Sequence, residues 1–239
     1  MHDNNMLELA RRHLPRVDGD ALHHARNRLA ETGIARLGFL LPYRVKRALA
    51  VEALTLLDHH RQWGDLLPDA EHTARQQPVD LSQQEVDAHA GCIPQLYDCE
   101  PLRDRLSLVA AEPVLPSPGS SRYTVNRLHH DGAPGQWHWD DYAFTLVLVV
   151  ECPPLADGGF VQTVAHTRRD WDHADIYRTL TRNPIQSWEL NAGDLYLMRT
   201  DTTLHRVHPF VHGRRTSVSM TFASRTDLER QQPPGSTAA

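Results

Sequence analysis

Residues 142–151, with the sequence YAFTLVLVVE, form a continuous apolar stretch that has the length of a β-strand. Because polar residues do not alternate with apolar ones, the pattern predicts a strand that is buried on both faces. Residues 143–150 are the longest apolar run of the chain, and they are too few to span a membrane. The stretch therefore predicts a strand inside a folded domain.

Further short strands are expected on both sides of this stretch. Turn-forming sequences, such as residues 157–159 (DGG) and 191–194 (NAGD), separate the apolar segments. Many short strands with frequent turns indicate a sandwich or a barrel. The predicted strands are residues 123–128, 142–151, 160–164, 185–190, 195–198, 205–210 and 216–222.

The first half of the chain has helical periodicity instead. Apolar stripes predict helices over residues 20–31, 42–60, 82–90 and 101–110, and a helical excursion is also expected over residues 170–181. The segment 113–121 (PVLPSPGSS) predicts a turn or linker. We expect a single domain with a mostly helical part over 1–112, a β-rich core over 120–225 and a flexible tail over 226–239.

Composition narrows the class of protein. The formal net charge of -5 argues against a nucleic-acid partner, because phosphate binding needs a basic surface. Cys92, Cys99 and Cys152 are an odd number without metal-type spacing, which indicates reduced thiols and a cytoplasmic location. Residues 1–5 lack the apolar core of a signal peptide. We therefore expect a small-molecule substrate and no membrane partner, while the oligomeric state stays open.

Two histidines and one aspartate have the spacing of a metal site. In a strand, residues two apart point to the same side, so His138 and Asp140 can clamp one ion. His205 follows a turn-rich segment and can complete the triad from another strand. This set of ligands suits iron(II) with open positions for oxygen chemistry, although zinc also accepts it.

A second group of polar residues follows His205 on a predicted strand. Arg215 and Ser217 share a face with Ser219 and Thr221, so a guanidinium and a hydroxyl lie on one wall. Such a pair is a carboxylate clamp. Arg214, in contrast, is expected at the surface of a hairpin.

In this order, His138-x-Asp140, His205 and Arg215-x-Ser217 resemble the iron(II)/2-oxoglutarate-dependent oxygenases over residues 120–225, including the stretch 193–197 before His205. More narrowly, residues 137–142 (WHWDDY) after a helical half are similar to the BesD-like enzymes that hydroxylate or halogenate free amino acids. The resemblance implies a mainly β fold with helices: a double-stranded β-helix (jelly-roll or cupin-like barrel) with an N-terminal helical region packed against it.

The resemblance also implies cofactors and roles. Fe(2+) would be held by His138, Asp140 and His205, and 2-oxoglutarate by Arg215 with Ser217, which leaves a position for O2. Oxidation of an unactivated C–H bond would accompany decarboxylation of 2-oxoglutarate to succinate. Halogenases of this family have a small residue where this chain has Asp140, so hydroxylation or desaturation is favoured over halogenation.

Three residues are candidates for substrate contacts. Asp141 follows the metal motif, where BesD-like enzymes have an acidic residue that can engage an amino group, although strand alternation would turn it away. Trp137 is a candidate for the lining of the pocket, with a place in the core as the alternative. Arg75 reaches a substrate carboxylate only if the polar segment 71–78 folds over the mouth of the pocket.

We expect a free amino acid or related small metabolite as the substrate. The alternatives are a nucleoside, a peptide or a natural-product scaffold, and desaturation in place of hydroxylation. Two readings outside oxygen chemistry also remain, namely a zinc-binding jelly-roll protein and a non-catalytic binding domain on an oxygenase scaffold.

Overall fold

The computed structural model describes residues 3–65, 79–129, 135–169 and 175–231. Six helices precede most of the strands, and two short ones follow later in the chain. Among the described helices, none combines the length and the apolar character that crossing a bilayer requires. The helices are α1 (Asp3–His13), α2 (Gly19–Thr32), α3 (Tyr43–Asp65), α4 (Gln83–His89), α5 (Cys92–Tyr97), α6 (Glu100–Ala110), α7 (Ile176–Arg182) and α8 (Arg225–Gln231).

Two antiparallel sheets form the β-rich part. The larger sheet has the order β1-β8-β5-β10-β4-β2, with β3 paired to β10, and the smaller sheet has the order β7-β6-β9. The strands are β1 (Ile34–Arg36), β2 (Val79–Leu81), β3 (Leu115–Pro116), β4 (Tyr123–His129), β5 (Phe144–Glu151), β6 (Val161–Ala165), β7 (Gln186–Trp188), β8 (Leu195–Arg199), β9 (Thr203–Val207) and β10 (Arg214–Ala223).

The apolar stretch that opens the sequence forms β5, and it is buried on both faces as predicted. One face, including Phe144 and Leu146, packs with the N-terminal helices in the main core. The other face packs Val147 and Val149 against side chains of both sheets, among them Val161 of β6. Two facing sheets with helices outside the larger one form a double-stranded β-helix, so the predicted fold class is confirmed.

Helix ends follow local chemistry. The Asp18 side chain accepts a hydrogen bond from the Asp20 backbone at the start of α2, and Gly33 ends that helix in a left-handed conformation with φ +73°. Ser82 and Glu85 form a reciprocal capping box at the start of α4. These ends lie within one residue of those predicted for residues 20–31 and 82–90.

Several elements differ from the sequence prediction. The predicted linker contains β3, and the predicted strand 205–210 is β9, which begins and ends earlier. The flexible tail predicted from residue 226 is wrong for its first part, because α8 extends to residue 231. Asp227 anchors this helix, since its Oδ2 accepts hydrogen bonds from the backbone of Ser224 (2.7 Å) and of Ala143 (3.0 Å). The sequence pattern did not indicate this anchor, because apolar periodicity reports apolar contacts and the anchoring side chain is a buried carboxylate.

Glu52 is expected to stabilise the helical part. Its carboxylate accepts the backbone N–H groups of residues 91, 92 and 93, at the start of α5, over 2.8 to 2.9 Å. Glu52→Ala leaves these donors without their partner, so we expect the free energy of unfolding to fall by about 1–3 kcal/mol. Glu8→Ala, which removes an exposed pair with Arg12, is the control and should change it by less than about 0.5 kcal/mol. Urea unfolding measures both, and equal losses would contradict this role.

Candidate active site

Two histidines and one aspartate come together beside β9. His138 exchanges two backbone hydrogen bonds with His205, each of 3.0 Å, and the Asp140 backbone donates to the carbonyl of Thr200. His138 forms an isolated β-bridge with His205 and does not belong to a longer strand. The strand geometry predicted for His138 and Asp140 is therefore present at His138 alone. Nε2 of His138 and Nε2 of His205 lie 3.6 and 3.7 Å from Oδ1 of Asp140. Three ligand atoms within 4.8 Å of one another can bind one metal ion.

Backbone carbonyls orient both imidazoles. Nδ1 of His138 lies 2.7 Å from the carbonyl of Gln136, and Nδ1 of His205 lies 2.9 Å from the carbonyl of Thr203. A carbonyl only accepts, so Nδ1 carries the proton and Nε2 keeps its lone pair for a metal. Burial lowers the pKa of His205 despite the nearby charge of Asp140. Burial thus favours the neutral form of this largely buried imidazole, which is the form that binds a metal.

Thr145 holds the Asp140 carboxylate, and Thr200 lies beside it. The Thr145 hydroxyl, on β5, donates to Oδ2 of Asp140 over 3.0 Å. It also lies 3.3 Å from the Thr200 hydroxyl, which donates to the carbonyl of Tyr142. Oδ1, the oxygen nearer the histidines, is left facing them. Thr145 thus fixes which oxygen is presented to an ion, and the sequence pattern indicated neither threonine.

Arg215 is a buried cation that forms no ion pair with a carboxylate of the described residues. Its side chain is 4% exposed, and its Nε and Nη2 have no hydrogen-bond acceptor among the described residues. A buried guanidinium with unpaired donors is costly unless an anion meets it. Arg215 and Ser217 line the same cavity as the metal-type triad, so the site fits a small carboxylate that reaches towards an ion.

Tyr196 and Cys152 flank this guanidinium. Burial raises the pKa of the Tyr196 hydroxyl, and Arg215 partly offsets that rise. Burial likewise raises the pKa of the Cys152 thiol, again offset in part by Arg215. Tyr196 also lines the cavity, and the sequence reading did not name it as a site residue. Strand alternation was the available signal, because Tyr196 has the opposite orientation to the core residues Leu195 and Leu197.

The cavity between the sheets has a volume of about 450 Å³. Its wall on β10 has the predicted alternation: the polar side chains face the cavity, and the apolar ones between them pack in the main core. The polar set is Arg215, Ser217, Ser219 and Thr221, and the apolar set is Val218, Met220 and Phe222.

The structure describes two of the three predicted substrate contacts, Asp141 and Trp137, and does not bring them together. Asp141 is exposed, lies 3.6 Å from a guanidinium nitrogen of Arg169, and lines a neighbouring cavity that shares Asp140 with the first. Trp137 packs with the cluster around Trp139. The guanidinium of Arg206 lies over the Trp137 ring, and its central carbon is 4.7 Å from the ring centroid. Arg75 lies outside the described residues.

The fold and the site together define an iron(II)/2-oxoglutarate-dependent oxygenase. The chain belongs to the HalD family, described as Halogenase D, whose model matches residues 17–237. The cofactors of this class are iron(II), 2-oxoglutarate and O2. The residues fit them, because two imidazoles and one carboxylate form the donor set and the unpaired Arg215 nitrogens need an anion.

Solved structures of low sequence identity share the fold. AviO1 from Streptomyces viridochromogenes is 18% identical, with a TM-score of 0.68 over 91% of this chain and 98% of that one. The non-heme alpha-ketoglutarate-dependent epimerase SnoN from nogalamycin biosynthesis is 16% identical, with a TM-score of 0.62 over 93% of each chain. A Pseudomonas putida prolyl-4-hydroxylase is 19% identical, with a TM-score of 0.51 over 85% of this chain and 99% of that one. No curated protein matches the chain.

Proposed function

We propose that the protein hydroxylates an unactivated C–H bond of a small molecule, with His138, Asp140 and His205 as the iron ligands. Arg215, assisted by Ser217, binds the distal carboxylate of 2-oxoglutarate. The observation that carries the proposal is the buried guanidinium of Arg215, whose Nε and Nη2 have no acceptor among the described residues, in the same cavity as the triad. A metal-storage or zinc protein has no need for such a group.

The residues of the chain have separate tasks in this reaction. With the cofactors bound, iron and O2 oxidise the substrate while 2-oxoglutarate is converted to succinate and carbon dioxide. The backbone carbonyls of Gln136 and Thr203 hold the imidazoles, and Thr145 holds Asp140. Burial between the sheets excludes water from the Arg215 end of the cavity.

Asp140 favours hydroxylation over halogenation within a family described as Halogenase D. A carboxylate ligand occupies a metal position that an anion such as chloride would otherwise take. Its second oxygen is tied to Thr145 over 3.0 Å, so the carboxylate is held in place. Both features support a hydroxylase, and desaturation of the same substrate remains the closest alternative.

A free amino acid or related metabolite is the proposed substrate. A cavity of about 450 Å³ suits a small molecule beside 2-oxoglutarate. Asp141, in the adjoining cavity, is the proposed contact for an amino group, while Trp137 and Arg75 are weaker candidates. A natural-product scaffold is the second candidate, because SnoN, which shares the fold, comes from nogalamycin biosynthesis.

The net charge of -5 supports the absence of a nucleic-acid partner, and the odd cysteine count supports a cytoplasmic enzyme.

The first experiment has two stages. Anaerobic addition of 2-oxoglutarate to the iron(II)-loaded protein should produce a metal-to-ligand charge-transfer band. Reactions with O2, ascorbate and a pooled panel of amino acids and metabolites are then followed by mass spectrometry, with succinate measured in parallel. Succinate with a product one oxygen heavier supports the proposal, and a product two hydrogens lighter indicates desaturation. Absence of both band and succinate would contradict oxygenase activity and favour a zinc or binding role.

Asp140→Gly tests the argument against halogenation. We expect iron affinity and hydroxylation to fall by more than about 100-fold, because even residues that only support a ligand are worth about 10- to 100-fold. At saturating iron(II), sodium chloride should shift the charge-transfer band of the variant and leave that of the wild type unchanged. A matching chloride response in the wild type, or a chlorinated product from it, would show that Asp140 does not block the halide position.

A further inference from the structure

The larger sheet extends beyond β10, and its inner face there carries polar side chains. Ser217 on β10 is in register with Asn126 on β4, and Asn126 is in register with Asp80 on β2. Since neighbouring strands are about 4.8 Å apart, the Cα of Asp80 lies roughly 10 Å from that of Ser217. All three residues line the metal-type cavity.

A chain of hydrogen bonds holds the Asp80 carboxylate. The Thr124 hydroxyl donates to Oδ1 of Asn126 over 3.1 Å, and Nδ2 of Asn126 donates to Oδ1 of Asp80 over 2.7 Å. In the described ranges, Asp80 has no cationic partner, and its second oxygen accepts no hydrogen bond. The carboxylate is exposed at the mouth of the cavity, is oriented by neutral groups and keeps its charge available.

Asp80 differs from the other charged groups of the cavity, because neither the metal site nor the 2-oxoglutarate site uses its charge. Iron(II) and Arg215 together would bring three positive charges, and 2-oxoglutarate and Asp140 together would bring three negative charges, so these four groups sum to zero. Arg206 also lines the cavity and carries a positive charge, but Gln162 and the ring of Trp137 hold its guanidinium on the smaller sheet, opposite Asp80. Asp80 and Asp140 are the carboxylates among the described residues of the wall, so Asp80 is the one that the metal triad does not use.

We infer that Asp80 is a specificity-determining residue that binds a cationic nitrogen of the substrate. This inference rests on the proposed function and concerns the same cavity. An ammonium group placed between the iron and β2 would donate to the open oxygen of Asp80, and Asn126 would hold the carboxylate for it. A charge-assisted hydrogen bond of this kind is worth roughly 10- to 100-fold in affinity.

Three six-carbon probes, L-lysine, L-norleucine and hexanoate, test the inference because each lacks one amino group of the one before. Isothermal titration and the charge-transfer band measure their binding to the anaerobic iron(II)/2-oxoglutarate protein. At one step of the series at least, the wild type should prefer the compound with the additional ammonium by about 10-fold or more. Asp80→Asn should remove that preference and leave 2-oxoglutarate binding unchanged.

Asp104→Asn is the matched control, because Asp104 is an exposed carboxylate of α6 that does not line the cavity. It should keep the preference of the wild type. Equal affinities at both steps, binding of none of the probes, or a preference that survives in Asp80→Asn would each overturn the inference. Titration reports the preference whether or not the charge-transfer band forms, so a failure of the proposed function would be seen separately.

Discussion

His205→Ala is expected to abolish iron(II) binding and, with it, 2-oxoglutarate-dependent succinate formation. The imidazole is largely buried, which lowers its pKa, and its Nε2 lies 3.7 Å from Oδ1 of Asp140. Removal leaves one histidine and one carboxylate, which is too few ligands to hold iron(II) on one face. We expect iron affinity to fall by more than about 100-fold, since changes to residues that merely support a ligand already cost about 10- to 100-fold. Metal content after anaerobic loading measures this directly.

His208→Ala is the control for this substitution. His208 follows β9 and stacks on Phe160, with 4.3 Å between the ring centroids, and it does not line the cavity. It should keep the iron content and activity of the wild type. If His205→Ala retained iron and succinate formation while His208→Ala lost them, the assignment of the third ligand would be wrong.

Local pattern was enough to predict the residues of the candidate metal site. His138 and Asp140 are two residues apart. This spacing brings their side chains to the same side both in a full strand and at the isolated bridge that the structure shows. The polar face of β10 was likewise predictable, because strict alternation separates Ser217 and Ser219 from Val218 and Met220. Periodicity carries this information without any knowledge of tertiary contacts.

The supporting residues were not predictable from local pattern. Thr145 lies in a continuous apolar strand, where alternation is absent and the inner face cannot be identified. Thr200 lies between β8 and β9 and meets Asp140 only through pairing between distant segments. Asp80 lies on a strand of three residues, too short for a pattern, and reaches the cavity through its register with Asn126. Register over long separations, unlike period, is not encoded in neighbouring residues.

Arg215→Ala is expected to weaken 2-oxoglutarate binding by about 10²- to 10³-fold, which corresponds to roughly 3–4 kcal/mol for breaking a buried ion pair. The same substitution removes a cation whose Nε and Nη2 lack acceptors. The protein without 2-oxoglutarate should therefore lose little stability or gain about 1–3 kcal/mol. Opposite effects on cofactor binding and on stability distinguish a binding residue from a structural one, since loss of a structural residue would lower both.

Thermal unfolding of the iron(II)-loaded protein with and without 2-oxoglutarate measures both effects. At a concentration 100 times the dissociation constant, 2-oxoglutarate stabilises the wild type by about 2.7 kcal/mol, and at that concentration it should barely stabilise Arg215→Ala. Arg214→Ala is the matched control, because the neighbouring guanidinium is half-exposed and bonds to Glu151 over 2.8 Å. Its unfolding should shift with 2-oxoglutarate as that of the wild type does. A normal shift in Arg215→Ala would move the carboxylate site elsewhere in the cavity, with Tyr196 as the next residue to replace.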